Sequence, residues 1–139
     1  MKKKIVILGS TGSIGKNTIK IIRKDKKNFD IRLLSTNQNI SEIIKQAKEF
    51  KVKNIIINDY KKFIETKKKY KNLNINFYNS FLILDKLFKK KELSYSMISI
   101  IGIDGLNPSL QLIKYSKNMA IVNKESIICG WNLIKTELN

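Results

Sequence analysis

Ile5-Val6-Ile7-Leu8-Gly9-Ser10-Thr11-Gly12-Ser13-Ile14-Gly15, followed by the helical pattern from Asn17 to Lys27, decides the fold of this chain. An apolar run passes through a glycine-spaced turn into a helix. A helix start carries backbone N–H groups without internal partners and the positive end of the helix dipole, so it can hold a pyrophosphate without a basic side chain. In this reading Gly9 allows the tight exit from the strand and Gly12 removes a Cβ from the phosphate path. Gly15 lets the helix lie close to the sheet. The spacing is G-x-x-G-x-x-G where the commoner fingerprint is G-x-G-x-x-G. A dinucleotide site is the functional reading, and a glycine-rich turn that binds nothing is its alternative.

Outward from this motif, β-rich apolar runs alternate with helical patterns. Strands are expected at Lys4–Leu8, Asp30–Ser35, Asn54–Asn58, Asn74–Tyr78, Ser96–Ile101 and Met119–Val122. Helices are expected at 17–27, 40–50, 60–70, 81–90 and 109–116. The succession predicts an α/β fold, a Rossmann-type doubly wound parallel sheet of about six strands in a single domain spanning 1–139. Consecutive apolar positions such as Ile55-Ile56-Ile57 require helices on both faces. In the second helix Ile40, Ile43, Ile44 and Ala47 share one face, and Ser41 is placed to cap it. Pro108 suits entry into the first turn of the fifth.

Composition narrows the function. The 139 residues have no His and one cysteine, Cys129, which excludes an internal disulfide and a zinc site of the Cys/His type. Cys129 is expected as a small buried apolar residue. No stretch approaches the length of a membrane span, and the basic Met1–Lys4 start runs into too short an apolar segment for a signal peptide, so the expectation is a cytoplasmic protein without membrane contact. The net charge of +17 raises nucleic acid as a partner. However, the cations are 26 Lys against 2 Arg, spread through every helix and accompanied by 15 Asn and 25 Ile. Arg is the residue favoured for bidentate phosphate and base reading, so a basic nucleic-acid binder is set behind the other readings. The runs Lys67–Lys69 and Lys89–Lys91 read as solvated helix ends.

Two further clusters bear on a ligand. After the second strand stands Ser35-Thr36-Asn37-Gln38-Asn39, where sheets of this kind often carry the acidic residue that binds a ribose 2′-OH. Without a carboxylate there, a 2′-phosphate is tolerated, which favours NADP over NAD; turn chemistry with Asn39 capping the next helix explains the same residues. After the sixth strand stands Asn123-Lys124-Glu125. It reads equally as a polar ligand site at a strand's carboxyl end and as a helix start capped by Asn123.

Three segments, Ile7–Gly15, the loop Ile103-Asp104-Gly105-Leu106-Asn107-Pro108 and Val122-Asn123-Lys124-Glu125-Ser126, together resemble the amino-terminal domain of the 1-deoxy-D-xylulose 5-phosphate reductoisomerase family. The resemblance implies an NADPH-dependent enzyme of the non-mevalonate isoprenoid pathway. Such an enzyme rearranges 1-deoxy-D-xylulose 5-phosphate, reduces the aldehyde intermediate to 2-C-methyl-D-erythritol 4-phosphate, and works as a homodimer. It implies that Thr11, Gly12, Ser13 and Ile14 wrap the pyrophosphate, with Gly9 and Gly15 part of the same cofactor site, and that Asn39 and the residues before it, Asn37 and Gln38, meet the 2′-phosphate. Asn123 and Glu125 would hold the nicotinamide side, and Lys124 the sugar phosphate substrate.

Many members carry Gly-Lys-Asn where this chain has Asn37-Gln38-Asn39, so a neutral amide replaces a cation, for which Arg32 or a nearby Lys is the candidate substitute. The family's divalent cation, magnesium or manganese, is held by carboxylates in a segment that does not occur here. The resemblance therefore assigns no catalytic residue and no metal ligand to this chain, and the expectation is a truncated form that binds cofactor without turnover. A stand-alone NAD(P)-binding module without catalysis is the competing reading.

Overall fold

In a computed structural model describing residues 1–139, six parallel strands form one sheet. They are β1 (Lys3–Leu8), β2 (Phe29–Thr36), β3 (Asn54–Ile57), β4 (Asn76–Tyr78), β5 (Leu93–Ile98) and β6 (Ser116–Ile121). The helices are α1 (Ser13–Lys24), α2 (Ile40–Phe50), α3 (Tyr60–Lys69), α4 (Leu84–Leu87), α5 (Leu106–Ile113) and α6 (Lys124–Leu138). Spatial order is β4-β3-β2-β1-β5-β6. The chain winds outward from β1 to β4 and then returns across β1 to build β5 and β6. The crevice at the carboxyl ends of β1 and β5 is therefore the topological switch point, where ligands bind in open α/β sheets.

The continuous apolar runs follow from burial on both faces. In β1, Ile5 and Ile7 pack with Ile19 and Ile22 of α1 and with Ile43, Ile44 and Ala47 of α2. Val6 and Leu8 point the other way, into a second cluster with Leu84, Phe88, Leu112 and Tyr115. The alternation of side chains along a strand sends one apolar set to each layer. β2 interrupts this pattern, because the β1 pairing steps from Ile31 to Leu33 and leaves Arg32 as the extra residue. A bulge at that point lets a charged side chain sit inside a central strand. Arg32 turns to Glu92 at 3.5 Å and Asp30 at 3.9 Å.

Element boundaries differ from the sequence expectation where side-chain packing outweighs periodicity. α1 begins at Ser13, four residues before the expected Asn17, so the last glycine of the motif lies inside the helix. The expected helix over 81–90 shrinks to a 3-10 turn, Phe81–Ile83, and the single turn of α4. Phe88 leaves it in extended conformation, drawn into the core beside the ring of Tyr115, and Lys91 then adopts a left-handed backbone. β5 and β6 begin three residues earlier than expected, and α5 begins at Leu106 and contains Pro108 in its first turn. Helix α2 matches its expected span, but its cap is Asn39, which accepts the amide of Glu42, while the hydroxyl of Ser41 donates to the Asn39 side chain.

Cys129 is exposed, contrary to expectation. Helix α6 buries Ser126, Gly130 and Ile134, a stripe of period four that faces α5, and Cys129 and the half-exposed Trp131 lie off that stripe. No helix is long and apolar enough to cross a membrane.

Candidate functional site

The carboxyl ends of the strands open into a cleft of about 700 Å³ lined on one side by Gly9, Thr11, Gly12, Ser35, Thr36, Asn37 and Asn58. Phe81, Ser99, Ile100 and Ile101 line it as well, with Ile103, Asp104, Asn107 and Pro108 from the segment that enters α5.

The glycine loop is anchored from three sides. The amide of Gly9 donates to the Ser35 hydroxyl at 2.9 Å, and the Ser10 amide to the Ser35 carbonyl at 3.0 Å. The Thr11 and Thr36 hydroxyls share a hydrogen bond of 2.7 Å, and the buried Gln46 donates to the Ser10 carbonyl at 3.0 Å. Just after β5, the Ser99 hydroxyl donates to the carbonyls of Leu8 and Gly9. These bonds hold the loop in place, with Gly9, Thr11 and Gly12 in the cleft lining.

Gly9 needs to be glycine on two counts. Its φ is +73°, and a Cβ would stand 2.7 Å from the Ser99 carbonyl oxygen. Gly15 is required by proximity, since a Cβ there would meet the Cα of Ser10 at 2.6 Å. At Gly12 the nearest atom to an added Cβ is the Gly9 carbonyl oxygen at 3.6 Å, an ordinary contact. Gly12 also has extended backbone that any residue adopts. The fold therefore does not require glycine at position 12, whereas a ligand lying over it does. Gly12 is the cap residue of α1, yet no side chain caps that helix, and its first turn holds no acidic residue. The unpartnered amides of that turn are free for an anion.

The second-strand cluster divides. Asn37 lines the cleft, but Ser35 and Thr36 spend their hydroxyls on the glycine loop and Asn39 spends its side chain on α2. Gln38 is exposed and donates its amide to Asp59 at 2.8 Å, while the Asp59 amide donates to the Asn37 carbonyl at 3.2 Å. This corrects the sequence-based expectation of a corner without carboxylates, because the end of β3 brings one in. Asp59 also accepts the Lys62 amide as the cap of α3, and that bond, with the Gln38 bond second, holds its carboxyl below the usual range. Arg32 does not substitute for the missing cation. It lies four residues before Thr36, roughly 13 Å along the strand, and is paired with Glu92.

The sixth-strand cluster supports the cleft from outside it. Asn123 is 4 % exposed and uses both ends of its side chain internally. Its amide nitrogen donates to the Ile100 carbonyl at 2.6 Å and to the Gly102 carbonyl, and its oxygen accepts the Ser126 amide at 3.1 Å. One side chain thus caps α6 and fixes the loop that forms the cleft wall. Lys124 and Glu125 are exposed on the first turn of α6 and are not among the residues lining the cleft. Asn58, Phe81 and Ser99, by contrast, line it without having been marked in the sequence. For Asn58 and Ser99 their place just after apolar strands is the available signal. For Phe81, inside an expected helix, there is none.

A glycine-cradled helix start at the switch point of a doubly wound sheet defines the class: a Rossmann-type α/β domain. Residues 5–130 match the family model for 1-deoxy-D-xylulose 5-phosphate reductoisomerase, and the chain belongs to that family. The 1-deoxy-D-xylulose 5-phosphate reductoisomerase of Pelagibacter ubique is 53 % identical over 98 % of this chain, which corresponds to 35 % of that relative. The chain spans about a third of the length of the curated relatives it matches. Among solved structures, the reductoisomerase of Zymomonas mobilis in complex with NADPH superposes with a TM-score of 0.88 at 25 % identity, covering 99 % of this chain and 36 % of the other. A reductoisomerase structure in complex with magnesium shares the fold, with a TM-score of 0.87 at 23 % identity over 99 % of this chain and 35 % of the other.

A divalent cation does not fit the residues here. No three His, Cys, Asp or Glu side chains are gathered anywhere in the structure, whereas a hard cation needs several oxygen ligands converging on one point.

Proposed function

We propose that this chain is the NADPH-binding part of a 1-deoxy-D-xylulose 5-phosphate reductoisomerase. The observation that carries the proposal is Gly12: open to the cleft, unstrained, and set before a helix start that no side chain caps. The first-turn amides of Ser13 and Ile14 would hold the pyrophosphate over Gly12, with the Thr11–Thr36 hydrogen bond keeping the loop in place. Ile100, Ile101 and Phe81, apolar residues of the cleft lining, would cover the faces of a bound heterocycle. Bound NADPH supplies the hydride, and the chain's own contribution is to bind and orient it. The sugar phosphate substrate and pairing with a second copy belong to the same proposal, as do the single-domain reading of 1–139 and a cytoplasmic site of action.

Titration with NADPH, NADH and a DNA duplex at low and moderate salt tests this reading. Cofactor binding that survives the salt increase, with duplex binding that collapses, is the expected result, because counterion release makes nonspecific nucleic-acid affinity steeply salt-dependent. Absence of NADPH binding by the folded chain refutes it.

A further inference from the structure

We propose that Asp59, placed by the end of β3 against the side chain of Gln38, is a specificity-determining residue that reduces the advantage of NADPH over NADH. The inference rests on the dinucleotide reading above and adds a discriminating group to it.

In doubly wound sheets the adenosine ribose lies against the carboxyl end of the second strand. Here that corner is made by Asn37 and Gln38, and two backbone bonds tie the end of β3 to it: Asn58 amide to Thr36 carbonyl at 3.0 Å, and Asp59 amide to Asn37 carbonyl at 3.2 Å. Asp59 therefore cannot drift away from the corner. Its carboxylate takes one N–H of the Gln38 amide at 2.8 Å, using a donor that a 2′-phosphate would otherwise accept. No cation pairs with the Asp59 carboxylate: Arg32 lies back along β2 with Glu92, Lys61 is exposed on the first turn of α3 without an ion pair, and Lys62, whose charge acts on Asp59, lies 3.9 Å from Glu65. A 2′-phosphate would thus approach a fixed negative charge and a half-occupied neutral amide. A free 2′-hydroxyl suffers no such repulsion and can itself donate to an acceptor.

The test is the ratio of NADH to NADPH dissociation constants for the 139-residue chain and for Asp59→Asn and Gln38→Lys. Asparagine is as good a helix cap as aspartate, so Asp59→Asn removes the charge while keeping the α3 start. Thermal unfolding checks that the fold is kept. The ratio is expected to move toward NADPH by about three- to fivefold in Asp59→Asn, the size of an exposed charge-pair effect, and in the same direction in Gln38→Lys. A ratio that moves by less than twofold in Asp59→Asn, or moves toward NADH, overturns the inference. Failure of both cofactors to bind the unmodified chain has a different meaning: it refutes the dinucleotide reading itself, and the inference with it.

Discussion

Replacing Gly12 and Gly15 one at a time separates what the glycine motif does for the ligand from what it does for the fold. A Cβ at Gly15 would overlap the backbone of Ser10 at 2.6 Å, and no flexible side chain is available to give way. In Gly15→Ala helix α1 must therefore move off the loop, a forced backbone shift that costs about 3 kcal/mol. For a chain of this size each kcal/mol lowers Tm by roughly 3–5 °C, so a fall of about 10 °C or more is expected. At Gly12 the nearest atom is 3.6 Å away and φ and ψ are −77° and 176°, so an added side chain meets neither a clash nor backbone strain. Glycine's greater unfolded-state entropy even predicts slight stabilisation on substitution, on the order of 0.5 kcal/mol. Gly12→Val should therefore unfold within about 3 °C of the parent.

Binding should show a different pattern. The branched side chain of Gly12→Val projects over the first-turn amides, where the pyrophosphate lies, and NADPH affinity should fall beyond detection in a fully folded protein. Thermal unfolding by circular dichroism and calorimetric titration with NADPH provide the two readouts. Parent-like NADPH affinity in Gly12→Val refutes the pyrophosphate placement. A Gly15→Ala protein that melts within 3 °C of the parent refutes the close-packing argument.

Asn123→Ala removes the cap of α6 and the donor to Ile100 and Gly102, so it should destabilise the fold by about 2 kcal/mol and also weaken NADPH binding, whereas Lys124→Ala should change neither. In acid, Glu49 bound by Arg23, Asp85 bound by Tyr115 and Lys114, and Glu92 bound by the Lys89 amide all have carboxyls held below their ordinary range. Such groups stabilise the fold above their unfolded-state pKa and lose that contribution as pH falls through the lower folded value, so Tm should be flat near neutrality and decline below about pH 4.5. Arg23→Gln should flatten the part of this decline due to Glu49, an outcome read from Tm at several pH values. With 1-deoxy-D-xylulose 5-phosphate and magnesium or manganese, the 139-residue chain should bind NADPH without consuming it, because its carboxylates do not converge on a cation; steady loss of NADPH absorbance refutes this.

The sheet was legible in the sequence because its signal is redundant. In β1 and β3 every residue of the apolar run is buried, so no misplacement of one or two positions changes the reading. The misread segments are those where a single contact decides the conformation. Phe88 ends α4 by turning into the core against Tyr115, and Gly9 with Ser10 receives α1 so closely that the helix can start at Ser13. Neither contact leaves a periodic trace. Cys129 follows the same logic, since cysteine's preference for burial says nothing about which side of α6 faces α5. The stripe Ser126, Gly130, Ile134 settles that, and its two small members carry little hydrophobic signal.

The site was legible in its type but not in its division of labour. Sequence marks polar residues at strand ends, and there a cap, a loop tie and a ligand contact all call for the same amides and hydroxyls. Ser35 and Thr36, within the polar cluster after the second strand, hold the glycine loop; Asn123, which reads equally as a ligand group or a cap, caps α6 and also tethers the loop after β5. The cleft is lined by Gly9 and Gly12, by four hydrophobic side chains, and otherwise mainly by small polar residues with Asp104 as the one charged group. No lysine lines it, so its affinity should depend little on the many lysines of the chain. Selectivity then falls to the few charged groups that tertiary pairing brings to the rim. Asp59 is twenty-one residues from Gln38, and only the β2–β3 pairing, Thr36 beside Ile57, places its carboxylate at that corner.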